Sequence, residues 1–290
     1  MGVLSSHPFV KMNGVGNEIV VVDMRPNPND ITAADARAAA AGVPYDQLMA
    51  IYPPRCVHSD AFVCIFNNDG SEAGACGNGM RCVADILFKE SRKTSLTVET
   101  RAGLLKCWQG KTPLTSTIDM GLPRLRWDEI PLAEEFCDTR RIDLKIGPSD
   151  RPTLHSPSAA NMGNPHVVFW VDDVEAYDLG KIGPVLENHP IFPDRANISL
   201  AQVVSRGHLI VRTWERGAGL TRACGSAACA ALVCASRIQR TDRKATVSLP
   251  GGDLSIEWRE DDHVLMTGPV EYEFEGRFDA ALFETAETAR

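Results

Sequence analysis

The fold is decided by a stretch that occurs twice, as ACGNGMRCVADILFKE at residues 75–90 and as ACGSAACAALVCASRIQ at residues 223–239. In each copy a cysteine, Cys76 or Cys224, precedes a glycine and then a run that is apolar on most faces and rich in small residues. A run of this kind predicts a helix that is buried nearly all round. The two cysteines lie 148 positions apart (224 − 76), so we expect two halves built alike.

Shorter matches at nearly the same offset support a duplication of the whole chain. They are 16–17 with 163–164, 104–108 with 254–258, and 119–121 with 266–268. Gly, Pro and Ser cluster between the copies near 148–157, which is typical of a boundary. We therefore expect two domains, residues 1–150 with Cys76 and residues 151–290 with Cys224, and a C-terminal tail that can pack back on the first.

Outside the two helices, the sequence reads as short β-favouring runs separated by turn residues. These runs are 9–12, 19–23, 61–66, 96–99 and 104–108 in the first half, and 167–171, 209–214, 245–249, 254–258 and 263–267 in the second. The helices are predicted over 78–90 and 226–239. The sequence thus predicts an α+β fold of two pseudo-symmetric domains, in which strands surround a central helix.

Composition excludes several classes of protein. With 290 residues, 44% hydrophobic residues and 23% charged residues, the chain has the balance of an ordinary globular protein. A net charge of −8 without a basic patch argues against nucleic acid as a partner. The longest apolar runs are strand-sized and there is no secretory signal, so we expect no membrane association. Nine scattered cysteines without a CxxC pair predict reduced thiols and a cytoplasmic location.

The position of the two cysteines has chemical consequences. A thiol at a helix N-terminus has its pKa lowered from about 8.5 to between about 3.5 and 7.5, so a thiolate is expected near neutrality. The N–H groups of the same helical turn form a site suited to a carboxylate. If the halves pack about a pseudo-twofold axis, one sulfur would lie on either side of an amino acid's α-carbon. One thiolate would remove the α-proton and the opposite thiol would return one, inverting the centre, and the pair would titrate together.

At these residues the sequence resembles the diaminopimelate epimerase family over nearly its whole length. The strings that carry the resemblance are KMNGVGNEIVVVD at 11–23, YDQL at 45–48, FNNDGSEAGACGNGMRC at 66–82, MGNPHVV at 162–168, RAN at 195–197, ERGAGLTRACGSAACA at 215–230 and LPGGDLSIEW at 249–258. The resemblance implies two similar domains, each a barrel-like, mostly antiparallel sheet around a central helix. It also implies epimerisation of LL- to meso-2,6-diaminopimelate, in lysine and peptidoglycan precursor biosynthesis, without pyridoxal phosphate, any other cofactor or a metal.

The resemblance also implies roles for individual residues. Cys76 would act on the LL isomer and Cys224 on the meso isomer, and His166 and Glu215 are implicated in catalysis. The other substrate-binding positions fall into three groups. Backbone amides that would hold the reacting carboxylate are Gly77, Asn78, Gly225 and Ser226, residues at the reacting end are Asn17 and Gln47, and those at the distal end are Asn67, Asn164, Asn197, Arg216 and, for an ammonium, Glu215.

Two departures from the family pattern have structural consequences. Ala227 stands where the family has a glycine, and we expect tighter packing there if the residue is helical. Phe274 stands where the family has a tyrosine associated with dimer contacts. The resemblance still implies a homodimer, but not the hydrogen bond that a tyrosine hydroxyl would make.

Alternatives to this reading are a proline or hydroxyproline racemase of the same fold, a redox or zinc module, and a binding protein with an inactive site. The racemases carry CGH and SPCGTGT-like strings, whereas this chain has CGNG and CGSA. A substrate with only one polar end would also have no use for the polar side chains of Asn67, Asn197, Glu215 and Arg216. A zinc site would need closely spaced ligands. The spacing of five between Cys224, Cys229 and Cys234 turns successive thiols to different sides of a helix.

Overall fold

The structure is a computed structural model that describes residues 2–148 and 153–284. The chain forms two compact units, one made of residues 1–118 and 267–290, and the other of residues 119–266. We call them unit 1 and unit 2. The predicted boundary between residues 150 and 151 lies outside the described residues. The segment 119–148, which the repeat assigns to the first half, belongs to unit 2 by compactness.

The elements in chain order begin with β1 (Pro8–Asn13), β2 (Glu18–Asp23), α1 (Ala33–Gly42), β3 (Gln47–Tyr52), β4 (Ala61–Asn67), β5 (Glu72–Ala73), α2 (Gly77–Ser91), β6 (Ser95–Thr100), β7 (Gly103–Gln109) and β8 (Thr115–Asp119). They continue with β9 (Lys145–Ile146), β10 (Leu154–His155), β11 (Ser158–Asn161), β12 (Pro165–Trp170), a 3₁₀ turn (Val174–Ala176), α3 (Leu179–Glu187), β13 (Asn197–Ser205), β14 (His208–Glu215) and β15 (Gly219–Leu220). The last are α4 (Gly225–Arg237), β16 (Lys244–Leu249), β17 (Gly252–Trp258), β18 (Val264–Pro269), β19 (Glu271–Arg277) and a 3₁₀ turn (Ala280–Phe283).

Strand pairing repeats from one unit to the other. In unit 1, β1–β2 and β3–β4 are antiparallel, β2–β3 and β4–β6 are parallel, and β6–β7 is antiparallel. In unit 2, β11–β12, β12–β13, β13–β14, β14–β16 and β16–β17 follow the same series of orientations. Unit 1 additionally pairs β19 with β1 in antiparallel register. The duplication seen in the sequence is therefore a duplication of topology.

A helix lies at the centre of each unit. α2 contacts β2, β3, β6 and β7, while α4 contacts β11 to β14, β16 and β17. Every residue from Ala227 to Ala235 of α4 is buried, as expected for a helix enclosed by strands. The predicted α+β fold is confirmed, and both helices begin one residue earlier than predicted. None of the helices in the described residues is long and apolar enough to span a bilayer.

Each unit also has a peripheral helix that was not predicted from the sequence. α1 begins with a capping box, in which Thr32 accepts from the Asp35 N–H and the Asp35 carboxylate accepts from the Thr32 N–H. This motif is readable in the sequence and could have predicted the helix. α3 contains Pro184, which obscures its helical pattern. α1 packs into a core with β2, β3 and β4, and α3 into a core with β12 and β13.

Candidate active site

Equivalent chain segments place the polar residues around each central helix. β3 begins at Gln47 and β13 begins at Asn197, while β4 ends at Asn67 and β14 ends at Glu215. In both units, the chain runs from this strand end through a short two-residue strand, β5 or β15, into the central helix. Cys76 is the N-cap of α2 and Cys224 is the N-cap of α4, both with extended backbone dihedrals.

Cys76 is half-buried and lies among hydrogen-bonding groups. Its sulfur accepts from the Gly79 N–H at 3.3 Å, which caps the helix. The sulfur also lies 3.5 Å from Gln47 Oε1 and 3.8 Å from Asn17 Oδ1. The thiol can donate to either oxygen, while the Gly79 N–H stabilises a thiolate. The surroundings therefore accommodate both protonation states.

Two short chains of hydrogen bonds orient the amides around Cys76. Asn17 Nδ2 donates to the Asp46 carboxylate at 2.8 Å, so Asn17 Oδ1 faces the sulfur. Gln47 Nε2 lies 3.4 Å from Asn67 Oδ1, and Asn67 Nδ2 donates to Ser71 Oγ at 3.0 Å. These bonds bring Asn17, Gln47 and Asn67 together near Cys76. Asp46 was not singled out from the sequence, although it lies inside the quoted YDQL string.

Cys224 has different surroundings. It is buried, its sulfur makes no capping hydrogen bond at the start of the helix, and Ser226 Oγ lies 3.5 Å away. Burial, the negative charge of Glu215 and the hydrogen bond with that carboxylate raise the pKa of the Cys224 thiol, while hydrogen bonds with Ser226 and with the Ala227 backbone lower it. The expectation that the helix start lowers the pKa of both thiols is therefore wrong for Cys224. Desolvation and a neighbouring carboxylate outweigh the helix dipole there.

Glu215 itself is held at the end of β14. Its carboxylate accepts from Thr221 Oγ1 at 2.5 Å, and its backbone pairs with Gly219 of β15. Thr221 lies three residues before Cys224 on the same connection. The carboxylate is thus fixed beside the thiol by contacts within its own hairpin.

His166 is fully buried on β12. Its Nε2 lies 2.8 Å from Asn164 Oδ1, and Nδ1 has no hydrogen-bond partner among the described residues. Burial, with a smaller contribution from the charge of Arg216, lowers the pKa of His166 to about 3. The ring is therefore neutral at physiological pH, and its Nε2–H donates to Asn164. The amide group of Asn164 is oriented by this bond.

Asn197 links two other parts of unit 2. Its Oδ1 accepts from the Arg216 backbone N–H at 2.9 Å, and its Nδ2 donates to the Pro165 carbonyl at 2.8 Å. The exposed Arg216 side chain donates from Nη1 to the Asp194 carbonyl at 2.9 Å. Asn197 thereby ties the start of β12 to the turn that carries Arg216.

The first helical turns supply the backbone donors. Gly77 and Asn78 open α2, and Gly225 and Ser226 open α4, where N–H groups point away from the helix and can bind an anion. Asn78 is buried and its Oδ1 accepts from the buried Arg81 at 3.0 Å. This bond stiffens the first turn of α2 next to Cys76.

Unit 1 therefore gathers Asn17, Gln47, Asn67, Cys76, Gly77 and Asn78, and unit 2 gathers Asn164, His166, Asn197, Glu215, Arg216, Cys224, Gly225 and Ser226.

Ala227 is helical and completely buried, whereas Phe274 on β19 is 51% exposed and packs edge-on against Phe9. No group of three or more His, Cys, Asp or Glu side chains within 2–148 and 153–284 could hold a metal ion.

Comparison with known proteins identifies the family. The sequence model described as diaminopimelate epimerase matches residues 9–125 and 158–273. The chain belongs to the diaminopimelate epimerase family. A diaminopimelate epimerase from Rhodopseudomonas palustris (strain TIE-1) is 64% identical over 287 residues, covering 99% of this chain and 98% of the relative. One from Afipia carboxidovorans is 65% identical over 286 residues, covering 98% and 99%. The predicted resemblance is confirmed, and the chain is an isomerase.

Solved structures share the fold of this family at low sequence identity. A phenazine biosynthesis protein of the PhzF family from Enterococcus faecalis superposes with a TM-score of 0.68 at 15% identity, covering 94% of this chain and 99% of that one. A hydroxyproline epimerase from Agrobacterium vitis, with bound trans-4-hydroxy-L-proline, gives 0.66 at 15% identity, covering 94% and 92%. These similarities establish the fold and leave the choice of substrate to the site residues.

Proposed function

We propose that this member of the diaminopimelate epimerase family interconverts LL- and meso-2,6-diaminopimelate, with Cys76 and Cys224 as its acid/base pair and without cofactor or metal. The observation that carries the proposal is that each unit places a cysteine at the N-cap of its central helix, at equivalent points of the topology. Relatives of nearly full length carry the name of this reaction.

The surroundings of the thiols support different roles in the LL-to-meso direction. The Gly79 N–H stabilises a thiolate at Cys76, which takes the α-proton of the LL centre and leaves a carbanion. The raised pKa of Cys224 keeps its thiol protonated, so it delivers a proton to the opposite face. The enzyme then holds a thiol at Cys76 and a thiolate at Cys224, which is the state needed for the reverse reaction.

Backbone donors would stabilise the charge that develops on the reacting carboxylate. The first-turn N–H groups of Gly77, Asn78, Gly225 and Ser226 are fixed in direction by their helices, so they need no reorganisation during the reaction. Asn17 and Gln47, which lie beside the Cys76 sulfur, would contact the reacting end of the substrate.

The remaining polar set would read the distal end of diaminopimelate. Arg216 would bind the distal carboxylate through its planar fork of donors, and Glu215 the ammonium group. Asn67, Asn164 and Asn197 would complete this end. His166, neutral and in contact with Asn164, would act by orienting that amide. We assign the reaction to lysine and peptidoglycan precursor biosynthesis in the cytoplasm.

We also propose a homodimer that uses the exposed face of β19. Phe274 presents half its surface on this strand, beside β1. Phe274→Glu should shift the protein from dimer to monomer in light scattering, whereas Leu104→Glu, on the equally exposed Leu104 of β7, should not. A wild-type monomer at micromolar concentration would reject this assembly.

The reaction is tested by proton NMR of LL-diaminopimelate with reduced enzyme in D₂O. Deuterium should enter the α-position as the meso isomer forms, and both events should be lost in Cys76→Ala and in Cys224→Ala. No exchange with fresh, reduced wild type would show that the substrate is a different one, and proline-type amino acids would be tried next.

A further inference from the structure

Glu187 is a buried carboxylate in an unfavourable place. It is the last residue of α3, and only 7% of its side chain is exposed. The C-terminus of a helix carries partial negative charge, which disfavours a carboxylate there. Burial of a charge adds a further cost unless hydrogen bonds compensate for it. Such a carboxylate needs several hydrogen-bond donors, and the positions of these donors indicate which part of the chain it fixes in place.

Three donors converge on this carboxylate. The Gly217 backbone N–H donates to Oε1 at 2.9 Å, Arg195 Nη1 donates to the same oxygen at 3.1 Å, and the Trp214 indole N–H donates to Oε2 at 2.7 Å. Trp214 and Gly217 directly flank the pair formed by Glu215 and Arg216. The Glu187 carboxylate therefore accepts hydrogen bonds from both sides of the turn that carries two proposed substrate-binding residues.

The two residues of this turn depend on Glu187 to different degrees. Glu215 is also held by strand pairing with Gly219 and by Thr221. Arg216 lies at the exposed tip of the turn, where the next residue, Gly217, has a φ of +77° that favours glycine. Asn197 binds the Arg216 N–H and the Asp194 carbonyl binds its side chain. The Glu187 bond to the Gly217 N–H fixes the flexible residue that follows, so Arg216 depends on Glu187 together with these two contacts.

α3 is positioned to make this contact by its packing on Trp214. A Cβ at Gly183 would lie 2.4 Å from Trp214 Cγ, so the absence of a side chain lets the helix lie directly against the indole. Glu187 is one helical turn further along α3. The contact of Gly183 with the Trp214 indole thus sets the distance between α3 and the turn at residues 215–217. At this distance the Glu187 carboxylate reaches the Gly217 N–H.

We propose that Glu187 is a positioning residue that holds Arg216 for the distal carboxylate of an α,α′-diamino dicarboxylate substrate. The inference rests on the proposed function. Glu187→Gln keeps the side-chain shape but turns an NH₂ group toward one of the three donors. We expect kcat/KM for LL-diaminopimelate to fall about tenfold, mainly through KM, as for the loss of one charge-assisted hydrogen bond.

A double-mutant cycle separates this role from a general effect on folding. In an Arg216→Met background, Glu187→Gln should change kcat/KM by less than about twofold, because the residue it positions is gone. The matched control is Glu175→Gln, which removes an exposed carboxylate paired with Arg212 of β14 in the same unit. We expect this variant to match wild type.

Equal losses in both backgrounds, or a Glu187→Gln variant with wild-type KM, would overturn the positioning role. Wild-type turnover measured first in the same assay establishes the reaction itself, so a failure of the inference is distinct from a failure of the proposed function. If Glu187→Gln melts below the assay temperature, Arg195→Met removes a donor from the same oxygen at a half-exposed residue. It should show the same dependence on Arg216.

Discussion

At the scale of single residues, the two cysteines share a place in the sequence but differ in chemistry. Both precede a glycine at a helix start, yet the Cys76 sulfur caps its helix through the Gly79 N–H, whereas the Cys224 sulfur is buried beside the Glu215 carboxylate. The sequence predicted equal activation of both thiols from the helix dipole. Neighbours brought from other strands decide the actual difference, because desolvation and a nearby charge act over a few ångströms whatever the chain order.

The raised pKa of Cys224 predicts slow alkylation at neutral pH. Only the thiolate reacts, so the rate at Cys224 should rise with pH to a midpoint above the ordinary value of about 8.5. Glu215→Gln removes the negative charge and should lower this midpoint, whereas Glu257→Gln on β17 should not. Peptide mass spectrometry after iodoacetamide treatment measures the rate. An ordinary midpoint in wild type, unchanged by Glu215→Gln, would refute the assignment.

His166 predicts a pH dependence of stability. Its pKa is about 3 when folded and about 6.5 when unfolded, so the unfolded state binds a proton first as pH falls. The neutral ring of His166 contributes fully to the free energy of unfolding above pH 6.5. This contribution is lost as pH falls toward 3, by up to about 1.4 kcal/mol per pH unit.

Between pH 7 and 5, wild type should lose about 2 kcal/mol more stability than His166→Asn, as measured by urea unfolding. The exposed His155 of β10 offers a control, because His155→Asn should follow the wild-type curve. Parallel curves for wild type and His166→Asn would mean that the ring is protonated in the fold.

At the scale of elements, each central helix follows a short strand, β5 or β15, and begins directly after a cysteine. α2 was predictable because its apolar, small-residue run is long. α1 was missed in spite of its capping box, and β3 and β13, each the second strand of a parallel pair, were missed as well. Parallel partners are distant along the chain, so no local turn signal marks them.

The cap of α2 gives a stability prediction. Because the Cys76 sulfur accepts the Gly79 N–H, Cys76→Ser should retain the cap and Cys76→Ala should unfold about 1 kcal/mol more easily. Both variants should be inactive. The same pair of changes at Cys224, whose contact with the Ala227 backbone does not reach capping geometry, is the comparison, and serine should have a smaller advantage there. Urea unfolding that shows equal stability for both Cys76 variants would contradict the cap.

At the scale of the whole molecule, the duplicated topology places a cysteine at the N-cap of the central helix in each unit. The nine cysteines form no disulfide within the described residues. The proposed reaction needs both sulfurs to reach one α-carbon, so without substrate they should be close enough to oxidise.

We expect activity to fall in air as dioxygen takes two electrons and two protons from Cys76 and Cys224, joining them, and to return with a thiol reductant. Peptide mapping should find the 76–224 disulfide in aged protein, while Cys64, buried in β4, should stay reduced. Aged, inactive protein in which both Cys76 and Cys224 are still reduced would exclude this explanation.

The sequence by itself determined the duplication, the two central helices and the family, because the strings around Cys76 and Cys224 are long and each is read locally. Only the tertiary structure decided the raised pKa of the Cys224 thiol, the burial of His166 and the contacts of Asp46 and Glu187. Glu187 lies 28 residues (215 − 187) before Glu215 and carries no motif. Its role depends on packing of α3 against Trp214, and packing between distant segments leaves no periodic signal in the chain.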